Sequence, residues 1–290
     1  MLFIMKRESR PVRQVSAGFY FSGSVWRQKM RQPVWFACGD TGLLLDFSGY
    51  GPGLKRAAIP ATNRAELTRK ARQLGKMIRE KVDSGAFQGL TDIVPGLCSV
   101  LFHYDPIKVT AAELKQTVSL YLEQLDLSQQ APAPLWRLPV CYEGKFAPDL
   151  QDVASRTNLT PEEVISLHTS SILEVAIMGF LPGLGYLTGV ADALYLPRRS
   201  EPRTFVPQGS VGLAMDQTVI YPLDSPGGWN LIGRMPIPLF DQRRENPILF
   251  SAGDQVSFYA VSTNEYERLE ASFADGNLLV RPEQANETGS

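Results

Sequence analysis

The chain has 290 residues, 29 Lys and Arg against 30 Asp and Glu, and 44% hydrophobic residues. That is enough for one large domain or two ordinary ones, each burying its own core, and the near-zero net charge argues against nucleic acid as a default partner. No run approaches the roughly 18 apolar residues of a membrane helix, and three distant cysteines with two histidines exclude a disulfide framework and a Cys/His metal site. A cytoplasmic protein with no metal centre is the expectation.

The first 31 residues carry seven basic residues against Glu8 alone. They are read as a basic extension, with Met30 as a candidate true start and a diluted secretory or transit-type leader as the other readings. The apolar runs Val34–Cys38 and Gly42–Phe47 flank Gly39-Asp40-Thr41 and predict a hairpin. A helix follows from the capping box Asn63/Glu66, with Leu67, Ala71, Leu74 and Ile78 on one face and Gly85 at its end. Cys98–Tyr104 reads as a strand, Thr110 and Glu113 cap a second helix with Leu114, Val118, Tyr121 and Leu125 inward, and Trp136–Tyr142 is a further strand. Residues 32–145 are therefore expected to form a small two-layer α+β domain.

Two short helices are expected near Asp149–Ser155 and from Thr160, where Thr160, Pro161 and Glu163 fit N-cap, N1 and N3. Beyond His168 helical periodicity stops. Nine Gly and eight Pro fall between Gly179 and Pro238, among short runs at Ile172–Met178, Ser210–Leu213, Thr218–Tyr221, Ile248–Phe250 and Gln255–Val261. Many short strands with Gly/Pro turns predict an all-β barrel or sandwich over residues 146–280, followed by a polar tail, 281–290.

No Walker loop, nucleophile elbow, His-Glu-x-x-His motif or dinucleotide fingerprint is present. The chemically dense segments are Gly179-Phe-Leu-Pro-Gly-Leu-Gly-Tyr-Leu187, Pro197-Arg-Arg-Ser-Glu-Pro-Arg203, Val206-Pro-Gln-Gly-Ser-Val211 and Tyr221-Pro-Leu-Asp-Ser-Pro-Gly-Gly-Trp229, running on to Gly233-Arg234. One reading makes these tight turns of a barrel whose mouth is filled by Phe180, Tyr186 and Trp229. The other makes Ser225, Gly227 and Gly228 an anion cradle, beside arginines whose forked donors match a carboxylate or phosphate. His168, at a helix end, is either a capping cation or a group in contact with substrate. Gln217 and Asp216 are either solvated turn residues or hydrogen-bonding groups for an amide. The cysteines are expected to be buried and inert.

These segments, with Gln217-Thr218-x-x-Tyr221-Pro222, Ile232-Gly-Arg234 and Ala252-Gly-Asp254, resemble the carboxyltransferase subdomain C and D family. The family is also called allophanate hydrolase subunit 1, and includes the B subunit of bacterial 5-oxoprolinase and the sporulation-kinase inhibitor KipI. The resemblance implies an N-terminal α+β domain, a cyclophilin-like β-barrel, and a substrate cleft shared with a C subunit of similar build. It further implies an A subunit, ATP held by the complex with magnesium, a small amide or lactam substrate, and no activity from the chain alone. By the same resemblance Arg203 or Arg234 would bind a substrate carboxylate, and Ser225, Gly227 and Gly228 would face a phosphate or oxyanion. Tyr186 and Trp229 would wall the pocket, with His168 or Gln217 contacting the amide. Related amidohydrolase or carboxyltransferase activity and kinase inhibition are the alternatives. The chain departs from the family pattern at Leu184, Met215-Asp216 and Met235, and Asp216 is expected to weaken a nearby anion site.

Overall fold

The computed structural model describes residues 32–49, 61–127, 133–179, 181–276 and 280–283. The readings placed on residues 1–31, Gly51 to Gly53, Phe180 and most of the polar tail lie outside these residues.

The first layer is built from β1 (Val34–Ala37), β2 (Gly42–Asp46), β3 (Leu90–Pro95) and β4 (Ser99–Tyr104), a four-stranded antiparallel sheet in the order β1-β2-β4-β3. Helices α1 (Ala61–Asp83) and α2 (Ala111–Glu123) accompany it. α1 starts before the expected cap, so Asn63 lies in its first turn, but its apolar stripe is as patterned: Leu67, Ala71, Leu74 and Ile78 are buried against Leu43, Leu45, Val100 and Phe102. Thr110 and Glu113 close the capping box of α2, each side chain satisfying a backbone N–H that the helix leaves open.

The second part is a closed barrel of seven strands: β5 (Leu135–Cys141), β6 (Leu173–Met178), β7 (Gly185–Thr188), β9 (Ser210–Ala214), β10 (Gln217–Ile220), β12 (Asn230–Arg234) and β13 (Gln255–Val261). Their order around the wall is β10-β7-β6-β13-β5-β12-β9. The strand expected at Trp136–Tyr142 is β5, and it pairs in parallel with β13 rather than joining the first sheet. The change of layer therefore comes before Leu135, not near residue 145. An apolar alternating strand fits either sheet locally; its partner is decided by a pairing more than 100 residues distant, which the local pattern does not encode.

Helices α3 (Leu150–Thr157) and α4 (Pro161–Ser170) pack on each other and on the barrel, and α5 (Thr263–Ala274), absent from the sequence expectations, follows β13. Ser262 caps α5, whose Tyr266, Leu269 and Phe273 are buried. A two-stranded ribbon, β8 (Arg203–Val206) with β11 (Ser225–Gly227), lies apart from the barrel ladder. Strand alternation sorts the side chains of β7, β9, β10 and β12 into two sets. Leu187, Val211, Leu213, Ile220 and Ile232 fill the interior with Leu138, Val140 and Val256, whereas Ala214, Val219 and Leu231 join Val206, Tyr221 and Trp229 in a separate cluster on the outer face.

Two ion pairs join the layers: Arg72 to Glu174 at 2.7 Å and Arg64 to Asp216 at 3.2 Å, both largely withdrawn from solvent. Asp216, whose charge was expected to weaken a nearby anion site, is paired with Arg64. Leu138 is fully buried in the barrel interior. Leu138→Ala is expected to lower stability by about 2–5 kcal/mol, seen as a lower urea midpoint at unchanged slope.

Candidate functional site

The outer face of β7, β10, β9 and β12, roofed by the β8–β11 ribbon, gathers most of the residues singled out from sequence. Tyr186 pairs with Val219 across β7 and β10, and Gln217 shares the face of Val219 by alternation, flanked by Thr188 and Ala214. Trp229 lies over Gly212, where a Cβ would come within 2.8 Å of the Trp229 Cβ, and its ring is 6.0 Å from that of Tyr186. Gly227 is required for a similar reason, since a Cβ there would collide with the Tyr221 hydroxyl. That hydroxyl takes a hydrogen bond from the Trp229 backbone, and burial pushes its pKa up to about 12 although Arg198 and Arg203 are near, so it stays protonated.

The arginine segment is fastened over this face at three points. Asn230, fully buried, donates to the carbonyls of Pro197 and Leu213, the Arg199 N–H donates to the Gly228 carbonyl, and Asp149 receives two guanidiniums. Arg203 Nη2 is 2.6 Å and Arg199 Nη1 3.1 Å from the same oxygen, Asp149 Oδ1. Arg198 instead lies 5.1 Å over the Trp229 ring, a cation–π arrangement.

What these fastenings leave unfilled is informative. Arg203 Nη1, Arg199 Nε, Ser225 Oγ and Gln217 Nε2 are buried atoms with no hydrogen-bond partner among the described residues. Three are obligate donors and the fourth donates readily. Leaving buried donors open costs about 1–3 kcal/mol each. Arg203 and Arg199 meet at Asp149, Ser225 lies in the same ribbon paired with Val206, and Tyr186 and Trp229 form an aromatic pair on the barrel face beneath.

Two expected site residues are elsewhere. Arg234 ends β12, the opposite end from Trp229, and a strand of that length separates them by about 13–16 Å. Its guanidinium lies 5.4 Å from the Phe146 ring centroid, so it does not share the Arg203 site. His168 is a correction as well. It is buried in the barrel with its ring stacked on Phe258 at 4.8 Å, neither a solvated cap nor a group facing substrate. Thr218 Oγ1 donates its single proton to the Gly212 carbonyl at 3.0 Å, so it must accept from His168 Nε2–H at 3.3 Å. That leaves Nδ1 bare to accept the Tyr142 O–H at 2.7 Å. Both nitrogens are used, and burial pushes the pKa down to about 3, so the ring is neutral.

Sequence reasoning missed Asp149 and left Tyr221 as a motif letter. Asp149 occupies the N-cap of α3 but makes no capping bond, because its carboxylate is turned toward the arginines. Its signal was indirect: three arginines within six residues need a buried counter-charge if they are to be held. Leu184, a departure from the family pattern, is buried in the outer cluster.

The model of the carboxyltransferase domain, subdomain C and D, matches residues 52–250. The chain belongs to this family. It is 36% identical over 195 residues to the B subunit of 5-oxoprolinase from Bacillus subtilis (strain 168), covering 64% of this chain and 81% of that one. It is 47% identical over 121 residues to the B subunit of 5-oxoprolinase from Escherichia coli O157:H7, covering 42% and 56%. The K. lactis urea amidolyase structure matches 88% of the chain with a TM-score of 0.69 at 19% identity, over 16% of its own length, which shows a shared fold. No helix among the described residues is long and apolar enough to cross a membrane.

His168 sets a pH dependence. The unfolded chain takes up the proton near pH 6.5, whereas the folded ring resists it down to about pH 3. Between those values the unfolded state binds one more proton, so this contribution to stability is complete above pH 6.5 and falls by about 1.4 kcal/mol per unit as pH drops. His168→Gln, compared with the parent by urea denaturation between pH 7.5 and 5, is expected to flatten that acid slope.

Proposed function

We propose that this chain is the B-type subunit of an ATP-dependent 5-oxoprolinase, which opens the lactam of 5-oxoproline to give glutamate, and that the outer barrel face binds the substrate. The observation that carries this reading is the set of unfilled donors at Arg203, Arg199, Ser225 and Gln217 beside Tyr186 and Trp229. 5-Oxoproline is small and partly apolar and presents three acceptor oxygens, two on its carboxylate and one on the lactam. Arg203 and Arg199 receive the carboxylate, Ser225 and Gln217 donate toward the lactam oxygen, and the aromatic rings flank the five-membered ring. Gly227 and Gly228 let the ribbon backbone approach closely.

A lactam resists hydrolysis because its carbonyl carbon is a weak electrophile and its nitrogen a poor leaving group. Transfer of the γ-phosphoryl of ATP to the lactam oxygen, with magnesium bound to the nucleotide, releases ADP and activates the ring carbon. Water adds at that carbon, the ring C–N bond breaks to leave an acyl phosphate and a free amine, and a second water releases phosphate and glutamate. The buried donors on this chain stabilise the charge that gathers on the lactam oxygen. The names of the relatives support a multi-subunit enzyme, and we assign the remaining parts to a C subunit and an A subunit.

Coexpression with those partners, assaying 5-oxoproline-dependent phosphate release with each subunit omitted in turn, tests the reading. Turnover is expected only with all three. Arg203→Ala and Trp229→Ala, in complexes assembled normally, are expected to lower it by about 10²-fold or more. Full activity in both variants would remove the site assignment. A well-formed complex that turns over urea-type amides but not 5-oxoproline would reassign the substrate, and a complex inactive on both would favour a regulatory role.

A further inference from the structure

We infer that Asp149 is the positioning residue of this site: its buried carboxylate clamps Arg203 and Arg199 so that their unfilled N–H groups face one ligand oxyanion. The inference rests on the proposed anion site and adds a residue to it.

The two carboxylate oxygens of Asp149 have separate tasks. Oδ2 accepts the Leu231 N–H at 2.6 Å, and the Asp149 N–H donates to the Leu231 carbonyl at 2.9 Å, so this pair fastens the start of α3 to β12. Oδ1 is given to the two guanidiniums, at 2.6 Å and 3.1 Å. A residue needed only to join α3 to β12 would use one oxygen and its own backbone. The second oxygen is spent on arginines that come from the loop and edge strand of another segment, 50 and 54 residues along the chain.

Charge explains the arrangement. Two guanidiniums held side by side repel, and a low-exposure carboxylate between them makes their approach possible while cancelling only one of the two charges. One positive charge remains for the ligand. The clamp also decides which nitrogens are presented: Asp149 occupies Arg203 Nη2 and Arg199 Nη1, leaving Arg203 Nη1 and Arg199 Nε open. Arg198, tied to the Trp229 ring instead of Asp149, lies outside the clamp. No other carboxylate among the described residues forms an ion pair with Arg199 or Arg203.

The test is 5-oxoproline binding to the full chain by calorimetry, for the parent, Asp149→Asn, Arg203→Ala and the double variant. Asparagine keeps a carbonyl oxygen for the Leu231 N–H but turns an NH2 toward the arginines. Asp149→Asn is expected to weaken binding about tenfold in the parent and clearly less in the Arg203→Ala background, where only the Arg199 half of the clamp remains to be lost. Arg198→Ala combined with Asp149→Asn is expected to be additive. A folded Asp149→Asn that binds within twofold of the parent overturns the inference and leaves the anion site standing. A parent chain that binds no 5-oxoproline, alone or in the assembled complex, overturns the site and the inference together. If Asp149→Asn does not fold, side-chain NMR of the ligand-free parent decides. Restricted guanidinium rotation for Arg199 and Arg203, with Arg198 free, supports the clamp; free rotation of Arg203 refutes it.

Discussion

Strand alternation in a closed wall governs this molecule. Every barrel strand must hand one set of side chains to the interior and the other to the outside, and closure removes the option of slipping by one residue. Thr218 and Ile220 therefore face inward, where Thr218 meets His168, while Gln217 and Val219 face outward beside Tyr186. The two faces then acquire opposite chemistry. The interior is apolar, and its His168, Tyr142 and Thr218 form a hydrogen-bonded chain that runs from the Tyr142 O–H through the imidazole to Thr218 and ends on the Gly212 carbonyl. The outer face is covered by a ribbon that brings arginines and a serine with unfilled donors.

Holding three arginines over an apolar barrel face is an electrostatic problem, and the chain solves it with one buried acid and one buried amide. Asp149 reaches the segment from the start of α3, and Asn230 reaches it from β12 while also accepting from Arg156. Neither residue lies near the arginines in sequence. The result is an arginine segment held from two sides by groups that belong to other parts of the chain. A further pairing across the layers joins Arg64 to Asp216.

Local patterns carry much of the fold. The stripe of Leu67, Ala71, Leu74 and Ile78, the capping boxes at Thr110 and Thr160, and the turn glycine Gly39 act within a few residues, so they are visible in a short window. The sheet that β5 joins and the existence of α5 are not visible in this way. The first is hidden because strand partners are chosen by distant pairing, and the second because the apolar residues Tyr266, Leu269 and Phe273 are diluted by the Glu and Arg residues between them.

The sequence alone determined which residue types were available: the arginine-rich segment, the Ser225 to Trp229 turn, Tyr186 and Gln217, and the family that these motifs mark. Tertiary structure decided which of them share a site. It put Tyr186, Gln217 and Trp229 on the outer barrel face and Arg203, Ser225 and Gly227 in the ribbon beside it, and sent Arg234 to the far end of β12 and His168 into the core. It also supplied Asp149, which reads in sequence as an ordinary helix start. The physical reason is common to all these cases. Whether a polar side chain is a ligand group or a structural one depends on which partners satisfy it, and those partners are set by contacts between segments dozens of residues apart.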